Sequence, residues 1–286
     1  MDAQTQSMNM VQLDSTFVEE VLTFTVNENP DHLSGRPSQY CMSLERPTLT
    51  LDGVVSGMMT NSAYQQDQSL RNKYSAKVAA VLRLIAKSLR HLHSNGVVHG
   101  DLCAEKCGKF DDGWKLMGRL EVQQVGSTFV HMGGTAIPPE AIGEVDSGVV
   151  VDTDSIPVAI TQQNEVSPSI DVWGFGKLAY EVFVGKNLVD FDDIRNPSND
   201  VVGLLELMEW NEDNLRMVFE DLLDVGIPES GADLIASCLL PAASSRPGSM
   251  DEVLDNPFWK DIRKYRQSSR QRSRRSYAAT SEVGEI

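Results

Sequence analysis

The stretch Leu89–Glu105, LRHLHSNGVVHGDLCAE, combines a helix end, a pair of apolar residues and a polar loop in one short segment. Asn95-Gly96 is a helix-ending signal, because glycine adopts the left-handed conformation without a Cβ penalty. Val97-Val98 then predicts a short buried strand. His99 and Asp101 follow at the open end of that strand. The stretch therefore predicts a loop that holds two titratable side chains beside a helix.

Helical periodicity dominates the chain on both sides of this stretch. Residues 75–94 carry one apolar stripe at spacings of three and four, which predicts a helix packed on the core. The segment Ile170–Val184 has apolar residues in nearly every direction around the helix axis, so we expect a helix surrounded by protein and ended by Gly185. Further helices are predicted over 201–210, 215–223, 232–240 and 249–254.

Strand patterns are fewer and lie mainly near the N-terminus. Alternation within Phe17–Val26 and the run Tyr40–Glu45 predict two strands. Lys109–Leu116, KFDDGWKL, predicts a β-hairpin that turns at Asp112-Gly113, because Asp-Gly favours a type I′ turn. The patterns together predict an α+β protein with a large helical part and a small β part.

Charge is unevenly distributed along the chain. The net charge of −16 argues against broad binding of nucleic acid or anionic membranes by the folded part. Residues 260–275 nevertheless carry eight Lys or Arg and one Asp, a local charge of +7, so the rest of the chain carries −23. The sequence has no apolar run long enough for a membrane span and no signal-peptide pattern. We therefore expect an intracellular, cytoplasmic protein, and the basic tail would also suit nuclear import.

Four motifs resemble those of protein kinases and occur in the family's order. They are His99, Asp101 and Leu102, similar to the His-Arg-Asp-Leu of the catalytic loop; Pro138-Pro139-Glu140, similar to Ala-Pro-Glu; Asp171–Gly176, DVWGFG, similar to Asp-x-Trp-x-Phe-Gly; and Arg246-Pro247 followed by Pro257-Phe258, similar to the end of the family's domain. The resemblance spans roughly residues 76–260. It implies an α+β, protein-kinase-like fold with a mainly α-helical C-terminal lobe and a reduced β N-terminal part.

The same resemblance divides the chain into four parts. Residues 1–14 are expected to be a disordered N-terminus, and residues 15–60 the reduced N-lobe strands and hinge. Residues 61–262 correspond to the kinase-like C-lobe. Residues 263–286 are expected to be a disordered tail rich in Ser and Arg.

The residues with which kinases bind ATP and magnesium are missing from their matching positions. Before residue 72 the glycines are Gly35, Gly53 and Gly57, which form no G-x-G-x-x-G loop, and the first lysine is Lys73. Other family positions are also changed: the metal-binding Asn falls at Lys106, the Asp-Phe-Gly at Gly118-Arg119-Leu120, and the loop lysine at Cys103. We therefore expect no cofactor.

The resemblance assigns structural roles to the residues that remain. Glu140 and Arg246 match a buried ion pair of the family, Asp171 matches an acceptor of hydrogen bonds from the catalytic-loop backbone, and His99 matches a residue that supports this loop. Asp101 is a relic of the catalytic base, for which a loop-capping carboxylate bonded to backbone N–H groups is favoured over a catalytic remnant. Lys106 is either a fixed cation in the vacant metal position or, the favoured interpretation, a solvated surface lysine.

These residues favour a pseudokinase that acts as a signalling scaffold or regulator by binding other proteins, such as a kinase or a signalling complex. The alternative is an active serine/threonine protein kinase that transfers the γ-phosphate of ATP, with Mg, through atypical or in-trans nucleotide binding. A third hypothesis is that residues 263–275 bind RNA or another polyanion.

Overall fold

The structure is a computed structural model that describes most of the chain. The described residues are 13–27, 39–62, 67–118, 122–130, 134–144, 158–160, 165–191 and 200–262. Of the predicted N-terminal segment 1–14, residues 1–12 lie outside this part, and Leu13 is buried in the core. The predicted tail 263–286 also lies outside it.

Seven α-helices and nine short strands occur in the described ranges. The helices are α1 Leu51–Met59, α2 Gln68–Ser94, α3 Pro168–Val184, α4 Val201–Met208, α5 Glu212–Asp224, α6 Glu229–Cys238 and α7 Met250–Asp255. The strands are β1 Val21–Asn27, β2 Gln39–Leu44, β3 Leu49–Thr50, β4 Val97–Val98, β5 Cys107–Phe110, β6 Gly113–Leu116, β7 Gln123–Gln124, β8 Ile142–Glu144 and β9 Val158–Ile160. No helix in these ranges is both long and apolar enough to cross a membrane.

The strands form small antiparallel sheets. β1 pairs with β2, β5 joins β3 to β6, β4 pairs with β7, and β8 pairs with β9. The β5–β6 hairpin turns one residue earlier than predicted, because Phe110 pairs with Gly113 and Asp111-Asp112 form the turn. Neither aspartate has a positive φ, so the expected type I′ turn at Asp112-Gly113 is wrong.

The helical part is built around α3, as its apolar pattern predicted. Every residue from Ile170 to Tyr180 is buried, and Gly185 ends the helix with a φ of 80°. Trp173 meets Trp210 edge to face at 5.5 Å, and Phe183 meets Phe258 in the same way at 6.2 Å. One continuous core therefore links α3 to the helices that follow it in sequence.

Two helix starts differ from the predictions, and in both cases a side chain caps the helix. α1 occupies part of the segment expected to be a hinge, and the Thr50 hydroxyl accepts from the Gly53 N–H. α2 begins at Gln68 instead of residue 75, with Asp67 accepting from the N–H groups of Ser69 and Leu70. The first two turns of α2 are polar, so the apolar stripe could not reveal them.

The segment before β1 attaches the N-terminal part to the β5–β6 hairpin. It was predicted to be strand from Phe17 onward, but β1 begins at Val21. Phe17 instead stacks on His91 at 4.8 Å between ring centroids, and its carbonyl accepts from the Leu116 N–H. The side chain of Glu19 is buried and accepts from the Gly118 N–H at 2.9 Å.

A buried lysine strengthens this attachment. Lys115 donates to Glu45 at 2.8 Å and pairs with Asp112 at 2.9 Å. Burial alone lowers the pKa of Lys115, but the hydrogen bonds to Glu45 and Asp112 outweigh it, so this pKa lies above the ordinary lysine value. Lys115 therefore stays charged and joins the end of β2 to β6.

Candidate functional site

The loop after β4 is anchored to α3 by a buried carboxylate. Asp171, in the first turn of α3, accepts from the backbone N–H groups of His99 at 2.8 Å and Gly100 at 2.9 Å. His93, near the end of α2, lies 2.8 Å from the same carboxylate through Nε2. Burial alone raises the pKa of Asp171, but the hydrogen bond and charge of His93, with a lesser contribution from the Gly100 N–H, bring it below the ordinary value.

His99 uses both nitrogens of its ring to hold the loop. Nε2 lies 2.8 Å from the Met117 carbonyl, and the Asp101 N–H donates to Nδ1 at 3.3 Å. Because a carbonyl only accepts and an N–H only donates, these partners select the neutral tautomer with its proton on Nε2. The structure therefore gives the His99 ring a bridging position between the loop and the end of β6.

The carboxylate of Asp101 is enclosed in the protein. The residue is 4% exposed, its Oδ2 forms an ion pair with Lys106, and its Oδ1 is buried without a hydrogen-bond partner in the described part of the chain. Backbone N–H donors to this carboxylate were expected, and none is seen among the described residues. The loop-capping interpretation is therefore wrong for the carboxylate oxygens, and Lys106 supplies the contact instead.

Lys106 is not the solvated surface lysine that was favoured. Its side chain is 20% exposed and lies at the end of a short 3-10 helix, Ala104–Lys106, that turns it back towards Asp101. The alternative interpretation, a fixed cation beside the loop aspartate, describes the geometry. An ammonium group has no lone pair to offer a metal, so the carboxylate is neutralised by the protein itself.

Gly134 covers the other oxygen of Asp101. A Cβ built on Gly134 would overlap Asp101 Oδ1, so any other residue at this position would force the Asp101 side chain or the segment around Gly134 to shift. The adjoining Ala136 and Ile137 are buried, which fixes the segment against the loop. With Lys106 on one side and Gly134 on the other, the Asp101 side chain is only 6% exposed.

Replacing Gly134 with alanine should destabilise the protein by about 1–3 kcal/mol, because the added methyl group overpacks a closed contact. In a chain that already carries Asp101→Ala, the Gly134→Ala change should destabilise the protein less. The difference between the two destabilisations should be about 0.5–3 kcal/mol. Urea unfolding of the two single variants and the double variant measures this coupling. Gly57→Ala is the matched control, since a Cβ on Gly57 meets nothing within 4 Å. Equal costs in both backgrounds would contradict the contact.

Glu140 and Arg246 form a bidentate ion pair. Nη1 and Nη2 of Arg246 donate to the two Glu140 oxygens at 2.8 and 2.7 Å. The same guanidinium donates to three carbonyls and lies 4.9 Å from the centre of the Trp173 ring; the carbonyls are those of Leu240, Ser169 and Pro241. Arg246 therefore ties the segment before β8 to α3 and to the loop after α6.

Two further side chains near the loop bear on its chemistry. Cys103, at the position of the family's loop lysine, has a pKa raised to about 12 by burial, with smaller contributions from Glu105 and Asp101. It is therefore a neutral thiol at physiological pH. Lys177 of α3 is buried and donates to Thr135 at 3.0 Å and to Glu181 at 2.7 Å.

A cavity of about 390 Å³ lies beside this loop, between α1 and the end of α3. Its walls include Val55, Met59 and Phe191, with Glu105 and Lys177 among the polar lining groups. Lys177 donates to Thr135 and forms an ion pair with Glu181, so its positive charge is already neutralised within the protein. Among the described ranges, no group of three or more His, Cys, Asp or Glu side chains is arranged to hold a metal ion.

Sequence reasoning missed three residues of this site: His93, Lys177 and Gly134. His93 lies on α2, and its partner Asp171 is 78 positions away, so no local pattern connects them. Lys177 lies between apolar residues of α3, four positions before Glu181, and a lysine in that setting is a signal of a buried ion pair. The predicted residues His99, Asp101 and Asp171 are brought together, while Glu140 and Arg246 form a separate anchor. Gly118 lies at the end of β6, and Arg119 and Leu120 lie outside the described residues.

The comparisons with known proteins concern the fold. The solved structure of the Cydia pomonella granulovirus kinase PK-1 is similar to this chain with a TM-score of 0.56 and 14% identity, over 90% of this chain and 81% of that one. Neither protein-family profiles nor curated protein sequences give a match. The chain therefore has an α+β, protein-kinase-like fold.

Proposed function

We propose that this chain is a pseudokinase, a kinase-like protein that transfers no phosphate and works as a signalling scaffold or regulator by binding other proteins. The observation that carries the proposal is the enclosed carboxylate of Asp101. One oxygen is paired with Lys106 and the other is buried beside Gly134, so the group that would receive a proton from a substrate hydroxyl is only 6% exposed.

The requirements of phosphoryl transfer support this proposal. Catalysis of this reaction depends on positioning the nucleotide, on metal ions that neutralise the phosphates and on a residue that orients the nucleophile. The sequence before residue 72 contains no G-x-G-x-x-G pattern for a phosphate loop, and Lys106 places a positive charge at the position of a metal ligand. Asp171 and the Glu140–Arg246 pair, which hold the fold together, keep their contacts.

The purified protein should transfer no more labelled phosphate from ATP, to itself or to a mixed peptide substrate, than an Asp101→Asn variant does. The reason is that the base is enclosed and the ATP-binding residues are missing. A filter-binding assay with and without Mg²⁺ measures this. Transfer that disappears in Asp101→Asn would overturn the proposal.

The alternative function is a serine/threonine kinase with atypical or in-trans nucleotide binding, in which ATP and Mg²⁺ would be cofactors. The feature in its favour is the loop itself, because Asp171 and His99 hold the backbone of Asp101 in an ordered arrangement. A thermal-shift titration separates the two functions. The alternative predicts stabilisation by ATP that depends on Mg²⁺, and the pseudokinase proposal predicts none.

A further inference from the structure

Helix α2 is strongly basic although the protein is acidic. Its 27 residues include six Lys or Arg and no Asp or Glu, in a chain whose net charge is −16. Arg90 is paired with Asp251, and Arg71 donates to Gln68. Arg83 and Lys87, by contrast, form no ion pair with any described residue. The outer face of α2 therefore carries positive charge without a partner in the described ranges.

These two cations line a groove at the place where the described chain ends. The groove has a volume of about 220 Å³ and separates α2 from residues 258–262. Its surface is mostly apolar: Ala76, Ala79, Ala80, Leu84, Trp259 and Ile262. Leu84 is 40% exposed at the rim. Arg83 and Lys87 are the charged residues that line it, so the groove combines an apolar floor with a positive edge.

Arg83 provides the clearest sign that the groove is unfilled. Its Nε is buried, and it has no hydrogen-bond partner among the described residues. A charged donor removed from water without an acceptor costs free energy, and a carboxylate in the groove would recover it. Lys87 follows Arg83 by one helical turn, so an occupant with two acids close together could pair with both.

The size of the groove favours a peptide as its occupant. Small-molecule sites usually measure about 300–1,000 Å³, and this groove is smaller. It has room for one or two apolar side chains, with carboxylates pairing at the rim. The matching chemistry is a short segment that contains small or branched apolar residues and two acids and has no positive charge.

We propose that Tyr277–Ile286, YAATSEVGEI, docks in this groove of its own chain. The segment carries Glu282 and Glu285, has no Lys or Arg, and offers Val283 and Ile286 as the one or two apolar side chains for which the groove has room. Ile262 lines the groove, so residues 263–276 connect the two directly, and extended chain at about 3.3–3.6 Å per residue has ample reach to return. Tethering raises the effective concentration of the segment to the millimolar range.

Docking of this segment does not depend on whether Asp101 is catalytically active. In the docked state, the acidic residues 277–286 would lie against α2. The basic residues 263–275 would then form an exposed loop between two fixed points. The proposal thus predicts how the positive part of the tail is presented to other molecules.

A labelled peptide of residues 277–286 tests the proposal by fluorescence anisotropy. The titrant is the full-length chain carrying Glu282→Lys and Glu285→Lys, whose own segment no longer fits. Saturable binding is expected. The wild-type full-length chain should bind the peptide about tenfold more weakly, because its own segment competes for the groove.

Substitutions in the groove identify the binding surface. Arg83→Glu with Lys87→Glu, added to the full-length chain used as titrant, should weaken the peptide about tenfold, and binding should fall with added salt. Lys73→Glu with Lys77→Glu makes the same charge change at two exposed positions of α2 outside the groove lining and should leave the affinity nearly unchanged. If Arg83→Glu impairs folding, Leu84→Asp at the exposed rim is expected to weaken the peptide as well. Absence of saturable binding, or binding that none of the groove substitutions weakens, would overturn the proposal.

Discussion

Replacing Arg246 with methionine should lower the free energy of unfolding by about 3–5 kcal/mol, because it leaves the Glu140 carboxylate without its charged partner. The Arg246 side chain is 0% exposed and that of Glu140 is 26% exposed, so water can solvate the remaining charge only in part. The substitution also deprives three carbonyls and the Trp173 ring of the guanidinium. Urea unfolding followed by circular dichroism measures the change.

Arg216 provides the matched control for this prediction. It forms an ion pair with Asp213 at 2.8 Å, but its side chain is 67% exposed and that of its partner is 77% exposed. Arg216→Met should therefore cost less than about 1 kcal/mol. Similar losses at Arg246 and Arg216 would mean that the buried pair does not anchor the fold.

Asp171→Asn should lower the free energy of unfolding by about 3 kcal/mol at neutral pH. The aspartate accepts hydrogen bonds from His99, Gly100 and His93. An asparagine has one acceptor oxygen, and its NH2 group would face an N–H that also donates. Hydrogen bonds to charged groups contribute about 1.5–3 kcal/mol each, so losing part of this set has a large effect. Urea unfolding of the two proteins at several pH values measures it.

The pH dependence of this difference has a defined sign. The pKa of Asp171 is lower in the folded protein than its ordinary value of 3.8. A carboxyl group with a lowered folded pKa stabilises the protein fully above the unfolded pKa and loses that contribution as pH falls towards the folded pKa. The gap between wild type and Asp171→Asn should therefore shrink as pH falls below 3.8. A gap that widens on acidification would contradict this role.

The parts of the fold that could be predicted are those in which packing requires a periodic pattern of apolar residues in the sequence. α3 is surrounded by protein, so its apolar residues in all directions identify it, and Gly185 marks its end. The polar start of α2 and the helix α1 were missed, because their caps at Asp67 and Thr50 are single polar residues in polar surroundings. The turn of the β5–β6 hairpin was misplaced because two aspartates precede Gly113, and the strand register decides between them.

The site was less predictable than the fold because its contacts depend on the direction in which each side chain points, and sequence spacing in a loop does not fix that direction. Lys106 follows Asp101 by five positions, a spacing that has no fixed geometry in a loop, and the short helix Ala104–Lys106 brings the two together. Gly134 could not be connected with Asp101 from sequence at all. Family resemblance named the position of each loop residue, but it did not indicate the contact between Lys106 and Asp101.

The Glu140–Arg246 pair also constrains the order of events during synthesis of the chain. Its two members are 106 positions apart. At translation rates of about 5–20 residues per second, Arg246 is added roughly 5–20 seconds after Glu140. The partners of Asp171 in the loop precede it in sequence, so that contact can form earlier, while the nascent chain is still short of its last helices. The helical lobe therefore completes its packing late, when residue 246 has left the ribosome.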